Sequence, residues 1–153
     1  MRQDSRLPRV LHALLHLEQM QKPATSELIA QMLGTNASVV RRTMGGLREA
    51  GIVVSVKGHG GGWSLARPLA EISLLDIYQA LDAPTLFAIG TDDGQSTCLL
   101  ARAANDATAN ALLKAQHHFQ AHLRRISVAD LASNVEQGTP GQAGSGPDAA
   151  EWG

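Results

Sequence analysis

The chain contains 153 residues, of which 44% are hydrophobic and only 3% aromatic, so we expect a core made of aliphatic side chains. No run approaches the roughly 18 apolar residues of a membrane span, and residues 1–10 lack the apolar stretch of a signal peptide, which indicates a cytoplasmic protein without membrane contact. The single cysteine, Cys98, excludes an intrachain disulfide bond and a metal site built from several cysteines.

The net charge of −1 conceals opposite charges in the two halves of the chain. Residues 1–67 contain nine Lys and Arg residues and four acidic ones, whereas residues 68–153 contain four basic and ten acidic residues. A basic front half favours a polyanionic partner, although a chance scatter of solvated charges would give the same count.

A winged helix-turn-helix domain is predicted over residues 1–82. Helical spacing of apolar residues and β-branched segments predict helices over 7–20, 26–33 and 37–50, strands over 52–56 and 63–67, and a helix over 72–81. A helix-turn-helix followed by a β-hairpin is the order of elements in such a domain.

Local residues also predict the ends and the inner faces of the second and third helices. Thr25 and Asn36 are typical N-caps, and Gly34 is a typical terminator. The side chains expected to face the core are Leu28, Ile29, Met32 and Leu33 on the second helix, and Val40, Met44 and Leu47 on the third. Arg41 and Arg42 are expected to point away from the core.

The second half of the chain predicts a loop, a long helix, a short helix and a tail. Residues 83–97 read as a linker and a candidate sensor region, and residues 98–134 as a long helix followed by a short one. An apolar stripe on the long helix comprises Leu100, Ala104, Ala107, Ala111, Ala115 and Phe119. Because this helix is too long to be buried by so small a domain, we expect a dimerisation helix; packing within its own chain is the alternative. Residues 135–153 are rich in Gly and Pro and are predicted to be disordered.

The segment "SVKGHGGGWSLARP" (55–68) brings several glycines together. A phosphate-binding P-loop is excluded because Lys57 precedes the glycines and a strand follows them. "HGGG" (59–62) resembles the oxyanion-hole motif of some esterases, but the chain lacks the G-x-S-x-G nucleophile motif, so we expect no enzymatic activity. The remaining interpretation is a slender hairpin tip that fits a minor groove, with Lys57 and His59 near its end.

Four motifs together resemble the Rrf2 family of bacterial winged-helix regulators, the group of IscR and NsrR. They are S-x-x-G-x-x-G-G-x-x-L-A (55–66), TN-x-x-VVRR (35–42), L-R-x-A-G (47–51) and EI-x-L-x-DIY (71–78). The fold that the resemblance implies is mainly α with a small β-hairpin. The implied function is a homodimeric, sequence-specific transcription regulator, usually a repressor, that binds double-stranded DNA at a palindromic operator.

The resemblance also implies which residues contact DNA. The third helix would enter the major groove and the hairpin the minor groove, and the implied contacts are Thr25, Ser26, Ser38, Arg41, Arg42, Lys57, His59 and Gly60. Thr25 and Ser26 are expected to bind phosphate through hydroxyl and backbone N–H groups.

The chain departs from the cluster-binding members of that family. Those members place three cysteines before and at the start of the long helix, whereas here Cys98 matches only the third and Ala101 stands at the ligand histidine. We therefore expect no iron–sulfur cluster and no metal. Cys98 is either a small core residue or a thiol sensor in the first turn of a helix capped by Thr97, where its pKa would be lowered.

Two further interpretations stay open. The winged helix could be a protein–protein interaction module without specific DNA binding, although such a role does not require Arg41, Arg42, Lys57 and Arg67 together. Alternatively, a small effector could bind in the 83–97 region beside the long helix, which is compatible with DNA binding.

Overall fold

The computed structural model describes residues 3–136. Within this range the structure contains six α-helices, one β-hairpin and one 3-10 turn at Leu69–Glu71. In chain order the elements are α1 (Arg6–Met20), α2 (Ser26–Leu33), α3 (Ala37–Glu49), β1 (Val53–Val56), β2 (Gly62–Leu65), α4 (Leu74–Ala80), α5 (Leu99–Arg124) and α6 (Val128–Glu136). The predicted fold class, mainly α with a small hairpin, is confirmed.

Side-chain caps define where the helices of the first domain begin. Thr25 Oγ1 accepts a hydrogen bond from the Leu28 N–H at 3.1 Å, and Asn36 Oδ1 accepts one from the Val39 N–H at 3.0 Å. Ser73 and Asp76 form a reciprocal capping box at the start of α4. Each cap satisfies an N–H group that the helix itself leaves without a partner, so local sequence fixes these boundaries.

The core lies where α1, α2, α3 and α4 meet the hairpin. Its fully buried members are aliphatic and include Leu14, Ile29, Met44, Leu47, Ile52 and Ile77. On α3 the three predicted core positions are all buried. Removal of these apolar side chains from water is the main stabilising contribution to the fold.

The inner face of α2 differs from the prediction. Ser26, Ile29 and Ala30 are buried, whereas Leu28 is 37% exposed. Met32 and Leu33 pack against the core as predicted, so the prediction is wrong at Leu28 and missed the polar residue Ser26. The buried Ser26 hydroxyl accepts a hydrogen bond from the indole of Trp63, which turns the first residue of the helix inward.

The wing, here defined as residues 53–65, consists of β1 and β2 paired antiparallel with Ser55 opposite Trp63. It is also joined to the chain just before α2. The Trp63 N–H donates to the Ala24 carbonyl at 2.8 Å, and the Ala24 N–H donates to the Trp63 carbonyl at 3.0 Å. These two bonds attach the wing to the helix-turn-helix, so the two parts hold a fixed relative position.

The C-terminal elements leave and then rejoin the domain. Of the 26 residues of α5, all within the described range, Leu123 is the buried one, while Leu99 and Leu100 are 76% and 81% exposed. After α5 the chain returns to α4, since the Val128 N–H donates to the Ile72 carbonyl and the Leu74 N–H donates to the Ile126 carbonyl, each at 2.9 Å.

The sequence predicts two segments without helix or strand in the second half of the chain. Residues 83–97 form no helix or strand in the described structure, as expected of a loop. The predicted tail begins too early, because α6 extends through residues 135 and 136; the rest of that tail, 137–153, lies outside the described residues. Over the range from residue 3 to residue 136, no helix has the length and hydropathy needed to cross a bilayer.

Candidate nucleic-acid interface

The exposed face of α3 carries three of the predicted contact residues. Ser38, Arg41 and Arg42 are exposed, and they lie opposite the buried positions Val40 and Met44. Residues three and four apart share one face of a helix, so the spacing 38, 41, 42 forms a single polar stripe. A stripe of this kind can offer one hydroxyl and two guanidinium groups to a duplex.

The two arginines of this stripe have different surroundings. The Arg41 Nη2 donates to Glu27 Oε1 on α2 at 2.5 Å, and both side chains remain more than half exposed. Arg42 forms no ion pair with any residue between 3 and 136. Arg41 is thus oriented by a carboxylate across the turn, whereas Arg42 projects into solvent.

The start of α2 presents one of the two predicted hydroxyls. Thr25 is exposed and its Oγ1 caps the helix. Ser26 is buried, and its Oγ accepts from Trp63 Nε1 at 3.0 Å. The Ser26 hydroxyl therefore faces the interior, and the phosphate contact predicted for that group has no geometric support; its role is to hold the wing.

The tip of the wing is a narrow turn. Lys57, His59 and Gly60 are all exposed there. A Cβ atom at Gly61 would lie 2.3 Å from the Val56 carbonyl oxygen, and one at Gly62 would lie 2.4 Å from the Ala24 carbonyl oxygen. The glycine run therefore serves two purposes: a thin tip and close docking of β2 against the chain before α2.

Two residues at this interface were not singled out by sequence reasoning. Trp63 anchors the wing through Ala24 and Ser26, and the Arg48 guanidinium carbon lies 5.9 Å from the centre of its ring. Glu27, which pairs with Arg41, is the second such residue. A tryptophan directly after three glycines, in a chain with so few aromatic residues, could have pointed to Trp63. Nothing in the sequence indicates that Glu27 pairs with Arg41.

Cys98 is the N-cap residue of α5, not a member of its first turn as predicted, and it is exposed in this chain. The interpretation as a core residue is therefore wrong for the single chain. The backbone N–H groups of Ala101 and Leu100 at the start of α5 lower the pKa of the Cys98 thiol. Donors at a helix start favour thiolate over thiol, which is the condition for thiol reactivity.

The residues present do not fit a three-cysteine iron–sulfur cluster. Cys98 is the single thiol of the sequence. Between residues 3 and 136, no three His, Cys, Asp or Glu side chains converge in a way that could hold a metal ion. A site with three cysteine ligands would need two more thiols than the sequence contains.

An open groove of about 840 Å³ lies beside the 83–97 segment. Its walls include Arg6, Tyr78, Phe87 and Phe119. The Tyr78 hydroxyl donates to the Pro84 carbonyl at 2.5 Å, which fixes the beginning of the segment against α4. The lining also contains Asp4, which pairs with Arg6 at 2.7 Å, so this part of the groove carries an ion pair and not a free cation.

The chain is similar in sequence to known transcriptional regulators. Residues 4–134 match the family model of Rrf2, described as an iron-dependent transcriptional regulator. YwnA of Bacillus subtilis, whose name describes an HTH-type transcriptional regulator, is 31% identical over 133 residues, which covers 86% of this chain and 98% of YwnA. IscR of Cereibacter sphaeroides, also named as an HTH-type transcriptional regulator, is 31% identical over 94 residues, 61% of this chain and 60% of that protein.

Solved structures show the same fold. T. potens IscR superposes with a TM-score of 0.67 at 23% identity, covering 93% of each chain. CymR of B. subtilis, titled a global cysteine regulator, gives a TM-score of 0.55 at 23% identity, covering 87% of this chain and 98% of that one.

Proposed function

This chain belongs to the Rrf2 family of transcriptional regulators, and from that premise we propose that it is a cytoplasmic, homodimeric repressor of a palindromic operator. Membership of this family shows that the chain is a DNA-binding transcription regulator and not an enzyme. The repressor role, the dimer and the form of the operator are the proposal.

One observation carries it: an exposed cationic face on α3 and an exposed glycine-rich tip are attached to each other through Trp63. Arg41 and Arg42 lie on the face, and Lys57 and His59 lie at the tip. The bonds from Trp63 to Ala24 and Ser26 keep the two from moving separately. Simultaneous contact with a major groove and the adjacent minor groove needs this rigidity, because ordering a loose wing would cost binding free energy.

The exposure of α5 supports a dimer. Leu99, Leu100 and Leu113 are at least half exposed on one helix, which is unfavourable in water for a lone chain. Ala104, Ala107 and Ala111 are also exposed and small enough for a second helix to approach closely. A two-fold pair of subunits would present two α3 helices about one helical turn of DNA apart, which matches a palindrome.

Two signals are compatible with this regulator, and neither requires a cluster. We propose that oxidation or alkylation of Cys98 weakens operator binding, since its thiol is exposed and its pKa is lowered. A small effector in the groove beside Tyr78 is the alternative signal. The thiol proposal is tested by comparing the parent with Cys98→Ser: an unchanged response to peroxide and electrophiles would remove it.

Selection of bound sequences from a random duplex pool tests the main proposal. We expect enrichment of an inverted repeat, with affinity that falls steeply as salt increases because phosphate contacts release counterions. Selection with and without oxidant shows in addition whether the thiol matters. A monomer with no preference for any duplex at low ionic strength would overturn the proposal and leave a protein-binding winged helix in its place.

A further inference from the structure

The ion pair between Glu27 and Arg41 lies on the surface proposed to face DNA. Glu27 is in the first turn of α2, two residues after Thr25, and Arg41 is on the exposed face of α3. Their 2.5 Å contact crosses the turn of the helix-turn-helix, and neither residue is buried. An acidic side chain at such a place is unexpected in a polyanion-binding surface, since it repels phosphate.

A fold-stabilising role does not account for this pair. An exposed ion pair contributes little to stability, because water screens it and two long side chains must be ordered. The α2–α3 arrangement is already held by the buried residues Ile29, Val40 and Met44. The pair is better explained by what it does to Arg41.

A guanidinium group has five N–H donors in a planar fork. The contact with Glu27 is made through Nη2, so donors on the other edges of the fork stay available for a bidentate contact with guanine O6 and N7. The carboxylate also offsets the arginine charge. A phosphate is attracted less strongly to a guanidinium whose charge is offset. Hydrogen bonds to a base edge depend instead on where the guanidinium donors point.

On the basis of the proposed DNA binding, we propose that Glu27 is a positioning residue that holds Arg41 as a base reader and reduces its attraction to phosphate. Glu27 thereby increases the preference for the operator over other DNA. Arg42, without an ion pair among residues 3–136, keeps its full charge for phosphate.

The test uses the full chain, the duplex recovered by selection and a scrambled duplex of the same length and composition. We expect Glu27→Gln to bind scrambled DNA several-fold more tightly, with a salt dependence steeper by about one phosphate contact. Affinity for the selected duplex should change less, so the specificity ratio falls. Glu18→Gln on α1 removes the same charge away from Arg41 and should leave the ratio unchanged.

Two variants separate positioning from simple repulsion. Glu27→Asp keeps the charge but shortens the side chain, so it should also lower the ratio. In an Arg41→Ala background, Glu27→Gln should have little effect on the ratio. An unchanged ratio in both Glu27→Gln and Glu27→Asp, or an equal effect without Arg41, would overturn the inference. Absence of any sequence preference in the parent chain would instead count against the proposed function itself.

Discussion

At the scale of single residues, the basic side chains of the candidate interface differ in the groups that surround them. Arg41 is held by Glu27, Arg48 lies near the Trp63 ring, and Arg42 and Lys57 project into solvent. Arginine reads guanine when its fork is oriented and binds phosphate when only its charge is used. The local partner of each cation therefore decides which contact it is suited to make.

Alanine variants of the two arginines should separate these roles. We expect Arg41→Ala to lose about 1–3 kcal/mol at the selected duplex and much less on scrambled DNA, because a base contact is lost. Arg42→Ala should weaken binding to both duplexes similarly, as loss of a phosphate contact does. Fluorescence anisotropy titrations at several salt concentrations measure both. Equal losses for Arg41→Ala on the two duplexes would identify it as a phosphate contact.

Cys98 should ionise at a lower pH in the folded chain than in the unfolded one. The N–H groups of Ala101 and Leu100 stabilise the thiolate and lower the pKa of Cys98, so reactivity should rise with pH earlier than for a free cysteine, whose pKa is about 8.5. The rate of iodoacetamide alkylation against pH measures this. The same chain in urea is the control, since unfolding removes the helix start. Identical profiles would contradict the expectation.

At the scale of elements, the attachment of the wing to the helix-turn-helix determines where the wing lies. Trp63 is buried by its contacts with Ala24 and Ser26, which precede and begin α2. Gly62 permits this approach, because its φ of +143° and the nearby Ala24 carbonyl leave no room for a side chain. The wing is thus positioned at its base and slender at its tip.

Two glycine variants should distinguish the docked base of the wing from its open tip. Gly62→Ala should lower the free energy of unfolding by about 2–4 kcal/mol, from backbone strain and a clash with Ala24. Gly60→Ala, at φ +72° with open space around it, should cost only about 1–2 kcal/mol. Urea unfolding measures both. Operator affinity should also fall more for Gly62→Ala; equal stability losses would contradict the account of docking.

At the scale of the whole molecule, α5 changes from a packed helix to an exposed helix along its length. Its C-terminal end packs on the domain through Leu123 and Phe119, whereas its N-terminal part exposes Leu100, Ala104 and Ala107. The predicted apolar stripe therefore passes from an intramolecular face to a solvent face along the same helix. Cys98 begins that exposed part, so chemistry at the thiol and a subunit contact would lie on one element.

A charge on the exposed part of α5 should dissociate the proposed dimer. Ala107→Arg introduces a bulky cation where a second helix would approach, and we expect the dimer dissociation constant to rise at least about tenfold. Sedimentation velocity over a concentration series measures this constant. Ala70→Arg, exposed on the 3-10 turn, is the matched control and should remain dimeric. An unchanged dimer in Ala107→Arg would place the interface elsewhere.

Information within one helical turn or one hairpin was enough to predict most elements. The caps Thr25 and Asn36, the core face of α3 and the two strands follow from interactions between residues close in the chain. The exposed stripe on α3 follows from the same periodicity. These features could be read from the sequence because their physical causes are local.

Contacts between distant residues could not be read in this way. Trp63 reaches Ser26 across 37 positions and Arg41 reaches Glu27 across 14, and neither pairing has a periodic signal. Burial of Ser26 and the orientation of Arg41 therefore became apparent only when the packed chain brought these residues together. A residue's type and spacing determine which element it joins, but its neighbours across the fold determine whether its polar group faces DNA or the interior.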